Sequence, residues 1–398
     1  MQPLFSVNSH IIDPPGLFEG RMPAKFADQA PRYENTDFGG LWQFGDHMSF
    51  LHRTCCMAGA KDGENWRTDV QGFNTLATHD QLRPSCYDAA QRLGDMDIDG
   101  VAVTASTSDP AGMGFGGDLF AMGTDPEAGF AALQAWNDWY HEEWISVAPN
   151  RLVPVGYTWY RDPERAAGEV RRNALRGFRA VAIRNPADLD EPWFGTGHWD
   201  PLFQACEETG TVIVHHTDSL PWWPKRGGPA GNMYPYGMGL TIYQLGATDF
   251  CAQLLWGGVT TRFPNLKILV SESGGSWLPH LIRRLDWNLG HSPLTRADWP
   301  DQNAAPLELL QRSFAFSTQE YDLIGPYSAE FGISRWLFED DYPHIESVWP
   351  NTQADFATGT AHLDDETREQ VAWKRAAELF RFPLPEKAYA DTASSGNA

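Results

Sequence analysis

The sequence predicts an α/β fold in which eight βα units close a parallel β-barrel, with a long insertion after the first strand. Apolar, β-branched runs alternate with longer amphipathic ones from about residue 95 onward, as repeated βα units require. Four distant segments, Val7-Asn8-Ser9-His10, Val214-His215-His216, Val270-Ser271-Glu272-Ser273 and Glu339-Asp340-Asp341-Tyr342-Pro343-His344, each set histidine or carboxylate at the end of an apolar run. Side chains so far apart in sequence meet when they occupy the same end of neighbouring barrel strands, which is where metal ligands converge. Residues 14 to about 85 carry Gly, Pro, Asn and aromatics without a steady period, which marks the insertion.

The strands are expected at 4–10, 100–105, 152–158, 178–183, 211–215, 266–271, 314–317 and 336–339, each a short apolar run. Helical stretches are expected near 126–147, 163–175, 199–209, 240–262, 275–289, 320–331 and 365–381, with Asp162-Pro163-Glu164 and Asp200-Pro201 as start signals. An insertion at the carboxyl ends of strands is placed to wall a substrate pocket or reach a neighbouring subunit. A second irregular stretch, 221–237, follows strand five on the same face. The sequence thus reads as one barrel domain over 1–390, followed by a small, polar tail, 391–398, expected to be disordered.

With 52 acidic and 30 basic side chains the formal charge is −22, which repels phosphate backbones and anionic lipid, so neither nucleic acid nor membrane is an expected partner. A small-molecule substrate is expected instead. Seventeen tryptophans exceed what a core needs, so some are expected to line a pocket or a subunit contact. Five cysteines without a C-x-x-C spacing argue against a disulfide framework and a structural zinc site, and fit a reducing cytoplasm. The N-terminus has no basic, apolar leader pattern and no run approaches 18 apolar residues.

His10 closes strand one, and alternation puts Asn8 on the same side, so the pair offers two groups to one ion, Asn8 more weakly because neutral amides are poor transition-metal ligands. His215 ends strand five and is the expected ligand there. His216 opens the loop, faces the other way, and orients another group, shuttles a proton or caps the strand. Glu272 ends a buried strand signature and is a ligand or acid/base group, or else pairs with Arg283, Arg284 or helix amides. Asp341 lies in a carboxylate cluster whose repulsion a cation resolves, and His344 is a weaker candidate for the metal, the substrate or support. Arg184, at the end of strand four, is a candidate clamp for a substrate carboxylate. Trp159 and Trp222 are candidate pocket walls. No G-x-G-x-x-G or Walker loop follows a strand, so no nucleotide cofactor is expected.

The chain resembles the amidohydrolase-related family of the amidohydrolase superfamily, the group of aminocarboxymuconate-semialdehyde decarboxylase-like metal-dependent hydrolases and decarboxylases. The resemblance rests on Ser9-His10-Ile11-Ile12-Asp13-Pro14-Pro15, Arg92-Leu93-Gly94-Asp95-Met96-Asp97, Trp136-Asn137-Asp138-Trp139, Arg262-Phe263-Pro264-Asn265-Leu266-Lys267, Glu272-Ser273-Gly274-Gly275-Ser276-Trp277-Leu278-Pro279 and Asp341-Tyr342-Pro343-His344 with Trp349-Pro350-Asn351. It implies a (β/α)8 TIM barrel with a divalent metal (zinc, manganese or iron) on His10, His215 and Asp341, and Glu272 where the decarboxylases have histidine. Asn8 departs from the usual acid or histidine, strand four lacks a metal-bridging lysine, and Lys374-Arg375-Ala376-Ala377 stands where relatives commonly have asparagine before the alanines.

The implied function is a metal-dependent hydrolase or non-oxidative decarboxylase of a small carboxylate-containing substrate, with Glu272, His216 and Asp341 catalytic. Two alternatives are a dinuclear iron or manganese enzyme that activates oxygen, and a degenerate-site partner subunit. A homo-oligomer, or a hetero-oligomer with an amidohydrolase-like subunit, is expected.

Overall fold

A computed structural model describes residues 2–61, 75–108, 117–123, 125–216 and 241–385. Trp222, the stretch 221–237 and the tail 391–398 lie outside the described residues. Eight barrel strands follow in the expected order: β1 (Leu4–Ile11), β2 (Val101–Ser108), β3 in two pieces (Leu152–Val153 and Val155–Tyr157), β4 (Ala180–Ile183), β5 (Val212–His216), β6 (Ile268–Ser271), β7 (Phe314–Ser317) and β8 (Trp336–Leu337). All neighbours pair in parallel. Pro154 splits β3 because it has no N–H for the ladder, while its carbonyl still accepts from Arg179 N at 2.9 Å.

Backbone bonds close the ring between the first and last strands. Val7 N donates to Phe338 O (3.0 Å), Asp341 N to Asn8 O (3.1 Å) and His10 N to Tyr342 O (2.7 Å). The product is a (β/α)8 barrel whose closing seam runs alongside residues 8, 10 and 341.

The differences from expectation have local causes. β8 stops at Leu337 because Phe338 N leaves the ladder to donate to Val371 O at 3.1 Å. β5 continues through His216 instead of ending at residue 215. The helix Pro163–Leu175 starts as expected, with Asp162 accepting from Glu164 N and Arg165 N and Pro163 in its first turn. Asp200 is the first residue of its helix but spends its carboxylate on Arg262 (2.8 Å) instead of capping. The expected helix 240–262 is divided into Leu245–Trp256 and Val259–Arg262 where Gly258 turns left-handed at φ 68°.

The insertion holds a three-stranded antiparallel sheet, Arg32–Asn35, Gly40–Phe44 and His47–Phe50. Strands this short, one of them largely exposed, leave too few alternations to show a period. Gly40 is required there, since a Cβ would run into the Tyr33 ring. A small second core of Ile12, Leu51, Cys56, Met57 and Cys86 lies under the insertion. All five cysteines are free. No helix among the described residues is long and apolar enough to cross a membrane.

Tryptophans enter the core more than a pocket. Trp136, Trp144, Trp159, Trp199 and Trp336 are among the largest fully buried side chains. Trp159, the candidate pocket wall, is 1% exposed and packs edge-on against Phe130 of the helix Pro126–Trp139, with ring centroids 5.6 Å apart.

Arg92 explains one of the motifs. Buried beneath the closing seam, it donates to His10 O (2.6 Å) and Ser85 O (2.7 Å) and faces the rings of Tyr342 and Trp144. Replacing it leaves two buried carbonyls without their donor. Arg92→Met is expected to cost about 3 kcal/mol in urea unfolding; a loss below about 1 kcal/mol would show that the guanidinium is not what joins the insertion to β1.

Candidate metal centre at the carboxyl ends of the strands

Four residues from three parts of the barrel converge: His10 on β1, Glu272 just after β6, and Asp341 and His344 after β8. One ligand atom from each lies within 4.8 Å of all the others. His10 Nε2 is 3.1 Å from Asp341 Oδ1 and 3.5 Å from Glu272 Oε2. His344 Nδ1 is 3.2 Å from Asp341 Oδ1, and its ring stacks on His10 at 3.9 Å. His344 reaches this position through a turn in which its N–H donates to Asp341 O at 2.8 Å.

Both carboxylates are presented by strained backbone. Glu272 has φ 49° and Asp341 φ 51°, the left-handed region that non-glycine residues enter at a cost of about 1–3 kcal/mol. Neighbours hold them there. Glu272 N donates to Ser317 Oγ (2.9 Å) and Glu339 Oε2 (3.1 Å), and Ser317 Oγ also binds Glu339. Asp340 is tied to the start of β1 through Ser6 Oγ at 2.8 Å.

The structure gathers His216, not His215. Adjacent strand residues face opposite ways, and His215 is the one that stacks on Phe250 of the helix Leu245–Trp256, at 3.7 Å, with its Nδ1 3.2 Å from Ile183 O. His216 Nε2 lies 2.6 Å from Glu272 Oε2. The alternative partners for Glu272 are engaged elsewhere: Arg283 pairs with Glu330, and Arg284 lies over Trp287 at 4.9 Å.

Asn8 lies beside the cluster. Its amide donates to Glu272 Oε2 (2.9 Å) and Asp341 Oδ1 (3.2 Å), so it bridges the two carboxylates as a neutral donor. Arg184 stands half-buried after β4 with its N–H donated to Tyr160 Oη at 2.7 Å, and it is not one of the four clustered residues.

The electrostatics are dominated by carboxyl groups held close together out of water. Burial, with the charge of Glu272, pushes Asp341 up to about 7. Burial also raises Glu339 to about 8 against the Ser317 hydrogen bond, with the charges of Glu272 and Asp341 adding to the rise, and raises Asp340 and Glu346 to about 7. Glu272 moves the other way: burial opposes its charge, but His216 and the hydrogen bonds from His10 and His216 hold it well below the usual range. Burial and the neighbouring His344 lower His10 to about 3, leaving the neutral imidazole that metals bind. Glu339 and Glu346 were not singled out from the sequence; Glu339 was visible in the run Glu339-Asp340-Asp341, whereas Glu346 had no local signal. Tyr243 also faces these charges, which with burial raise its phenol.

The donor set fits a divalent cation. Asp341 Oδ2 is buried and has no hydrogen-bond partner, His10 is neutral, and the carboxylates repel one another. Mixed imidazole and carboxylate ligation suits zinc, manganese and iron.

A parallel (β/α)8 barrel with histidines and carboxylates gathered at the carboxyl ends of β1, β6 and β8 defines a barrel protein of the metal-centre class. The chain belongs to the amidohydrolase family, whose sequence profile matches residues 78–382. It is 24% identical over 257 residues to 2-amino-3-carboxymuconate-6-semialdehyde decarboxylase of Dictyostelium discoideum, a match covering 63% of this chain and 62% of that protein. Among solved structures, an amidohydrolase from Mycobacterium avium subsp. paratuberculosis K-10 superimposes with TM-score 0.75 at 19% identity, covering 95% of this chain and 98% of the other. A dihydroxybenzoic acid decarboxylase from Polaromonas sp. JS666, with bound manganese and 2-nitroresorcinol, gives TM-score 0.64 at 15% identity, covering 98% and 100% of the two chains.

Asp341→Asn is expected to strip most of the metal from purified protein, whereas His215→Gln is expected to keep it. Elemental analysis of both variants checks the assignment, and the reverse result would restore His215 as the ligand.

Removing the metal is expected to make stability fall with rising pH. Asp340 and Asp341 (3.8 ordinarily, about 7 folded), Glu346 (4.5, about 7) and Glu339 (4.5, about 8) favour the fold in their neutral forms, an advantage complete below the unfolded values and lost as pH rises through the folded ones. His10, lowered from 6.5 to about 3, and His79, lowered to about 4, act in the opposite sense only below about 6.5. The interval from 6.5 to 8 therefore isolates the carboxylates. Chelator-treated protein should lose melting temperature across it and metal-loaded protein should not; a flat profile without metal would contradict the assignment.

Proposed function

We propose that this chain is a metal-dependent non-oxidative decarboxylase of a small carboxylic acid whose carboxyl-bearing carbon belongs to a phenolic or conjugated system. The observation that carries this reading is the 2.6 Å hydrogen bond between His216 and Glu272 at the edge of the four-residue cluster. Decarboxylation breaks a C–C bond, releases CO2 and leaves an electron pair on carbon, which needs delocalisation and then a proton. The proton shared by His216 Nε2 and Glu272 Oε2 is the one assigned to that carbon in this reading. A bound divalent cation would supply Lewis acidity toward a substrate oxygen. His10, Asp341 and His344 would hold it, with Glu272 between ligand and proton carrier, and Asn8 keeps the two carboxylates from separating. Arg184 is assigned the substrate carboxylate, for which a planar guanidinium is suited. The decarboxylases named among the relatives support the same reaction class.

His216→Gln is expected to lower CO2 release from a panel of hydroxybenzoates by about 10²-fold or more in kcat with metal content unchanged. Arg184→Met is expected to raise KM about tenfold. Full turnover in His216→Gln would refute the proton role, and hydrolysis of esters or amides without any CO2 release would replace decarboxylase by hydrolase.

A second reading, a dinuclear iron or manganese centre, is favoured by the supply of donors: His216, Glu339 and Glu346 surround a cluster that already holds four. Metal stoichiometry decides between them. Two redox-active ions per chain would favour it, and one ion would remove it.

A further inference from the structure

At the end of the barrel opposite the metal centre, a cavity of about 400 Å³ opens between the amino ends of β5 to β8 and the helix Arg375–Phe380. Its lining holds Lys267 at the entry to β6, Arg335 at the entry to β8, Arg375 at the start of the helix and Arg381 just past its end. Four cations around one cavity run against the balance of a chain with 52 acidic and 30 basic residues.

Their hydrogen bonds go to carbonyl groups. Lys267 Nζ and Arg335 Nη1 both donate to Arg312 O, at 3.0 and 3.1 Å, and Arg381 Nη2 donates to Gly210 O at 2.7 Å. None of the four forms an ion pair with a carboxylate among the described residues, and Glu378, exposed, is the acid in the lining. Capping of strand and helix carbonyls accounts for Lys267, Arg335 and Arg381. It leaves Arg375 unexplained, since its Nη1 is buried without a hydrogen-bond partner. The cations also act on one another: burial, reinforced by Arg335 and Arg312, lowers the Lys267 ammonium, and burial and Arg335 lower Arg375 against the pull of Glu366 and Glu378. A compact oxyanion would satisfy the free guanidinium N–H and relieve this repulsion together.

We propose that this cavity is a binding site for a small phosphoryl-bearing anion, held by Arg375, Lys267 and Arg335. Planar guanidinium groups match tetrahedral oxyanions, the ammonium adds a point charge, and the volume lies within the range of small-ligand sites.

The test is titration of the metal-loaded protein with inorganic pyrophosphate, at ionic strength matched with sodium chloride, followed by calorimetry and melting temperature. Binding in the submillimolar range with a concentration-dependent rise in melting temperature is expected. Arg375→Gln should weaken binding at least tenfold with the unliganded melting temperature nearly unchanged, and Lys267→Met should weaken it as well. Arg296→Gln, on the exposed helix Pro293–Asp298, should leave it unaltered. Absence of binding to the unaltered chain would overturn the proposal. So would equal affinity in Arg375→Gln, which would place the anion on the active-site metal, and so would equal weakening by Arg296→Gln, which would reduce it to general charge.

Discussion

The structure is organised by two carboxylates buried within reach of one amide. Oxygens of Glu272 and Asp341 lie within 4.8 Å of one another, and two charges at that spacing repel by about 3 kcal/mol at an effective dielectric near 20. Other features follow from keeping them together. Left-handed backbone at both residues aims the carboxylates inward, and the Asn8 amide donates to each. Their field helps keep Glu339 neutral, and Glu339 in turn accepts the Glu272 N–H. On the sequence alone Asn8 looked like a lost ligand. In the fold, a third acid at that position would add repulsion where the amide supplies two donors.

The barrel was legible because its strands are short apolar runs ending in functional residues, and a buried parallel strand has little freedom to look otherwise. The site was legible only to within a residue. The sequence does not distinguish an end of β5 at 215 from one at 216, and which histidine faces inward is set by the register of β5 against its neighbours, since a shift of one residue exchanges the two faces of a strand. No local pattern distinguishes those endings; the extra residue is fixed by pairing with Ser271 on β6, which lies 55 positions further along the chain. His344 was underrated for a related reason, since its place depends on the turn that follows Asp341. The small sheet in the insertion, with its exposed first strand, gave composition but no period.

Charge is segregated between the two ends of the barrel. Carboxylates collect where β6 and β8 end, and lysine and arginine collect where the same strands begin. Carbonyl groups accept from Lys267, Arg335 and Arg381, which stay at least partly exposed, whereas the carboxylates are almost sealed, Asp341 being 0% exposed. The acidic end therefore has the stronger need for a counter-ion, consistent with its larger displacement of carboxyl protonation.

Strand β8 joins both ends and is short for a reason. Leu337 lines the basic cavity, and two residues later Glu339 is already beneath Glu272. Between them Phe338 is held from both sides: its N–H donates to Val371 O, and its carbonyl accepts from Val7 N across the closing seam. Continuing the ladder through residue 339 would keep that backbone extended and carry Asp341 past the cluster. Ending it at Leu337 lets the chain turn within four residues, so that Asp341 enters left-handed geometry with its N–H on Asn8 O. The C-terminal segment that supplies Val371 thus meets the last strand at the residue where its ladder stops.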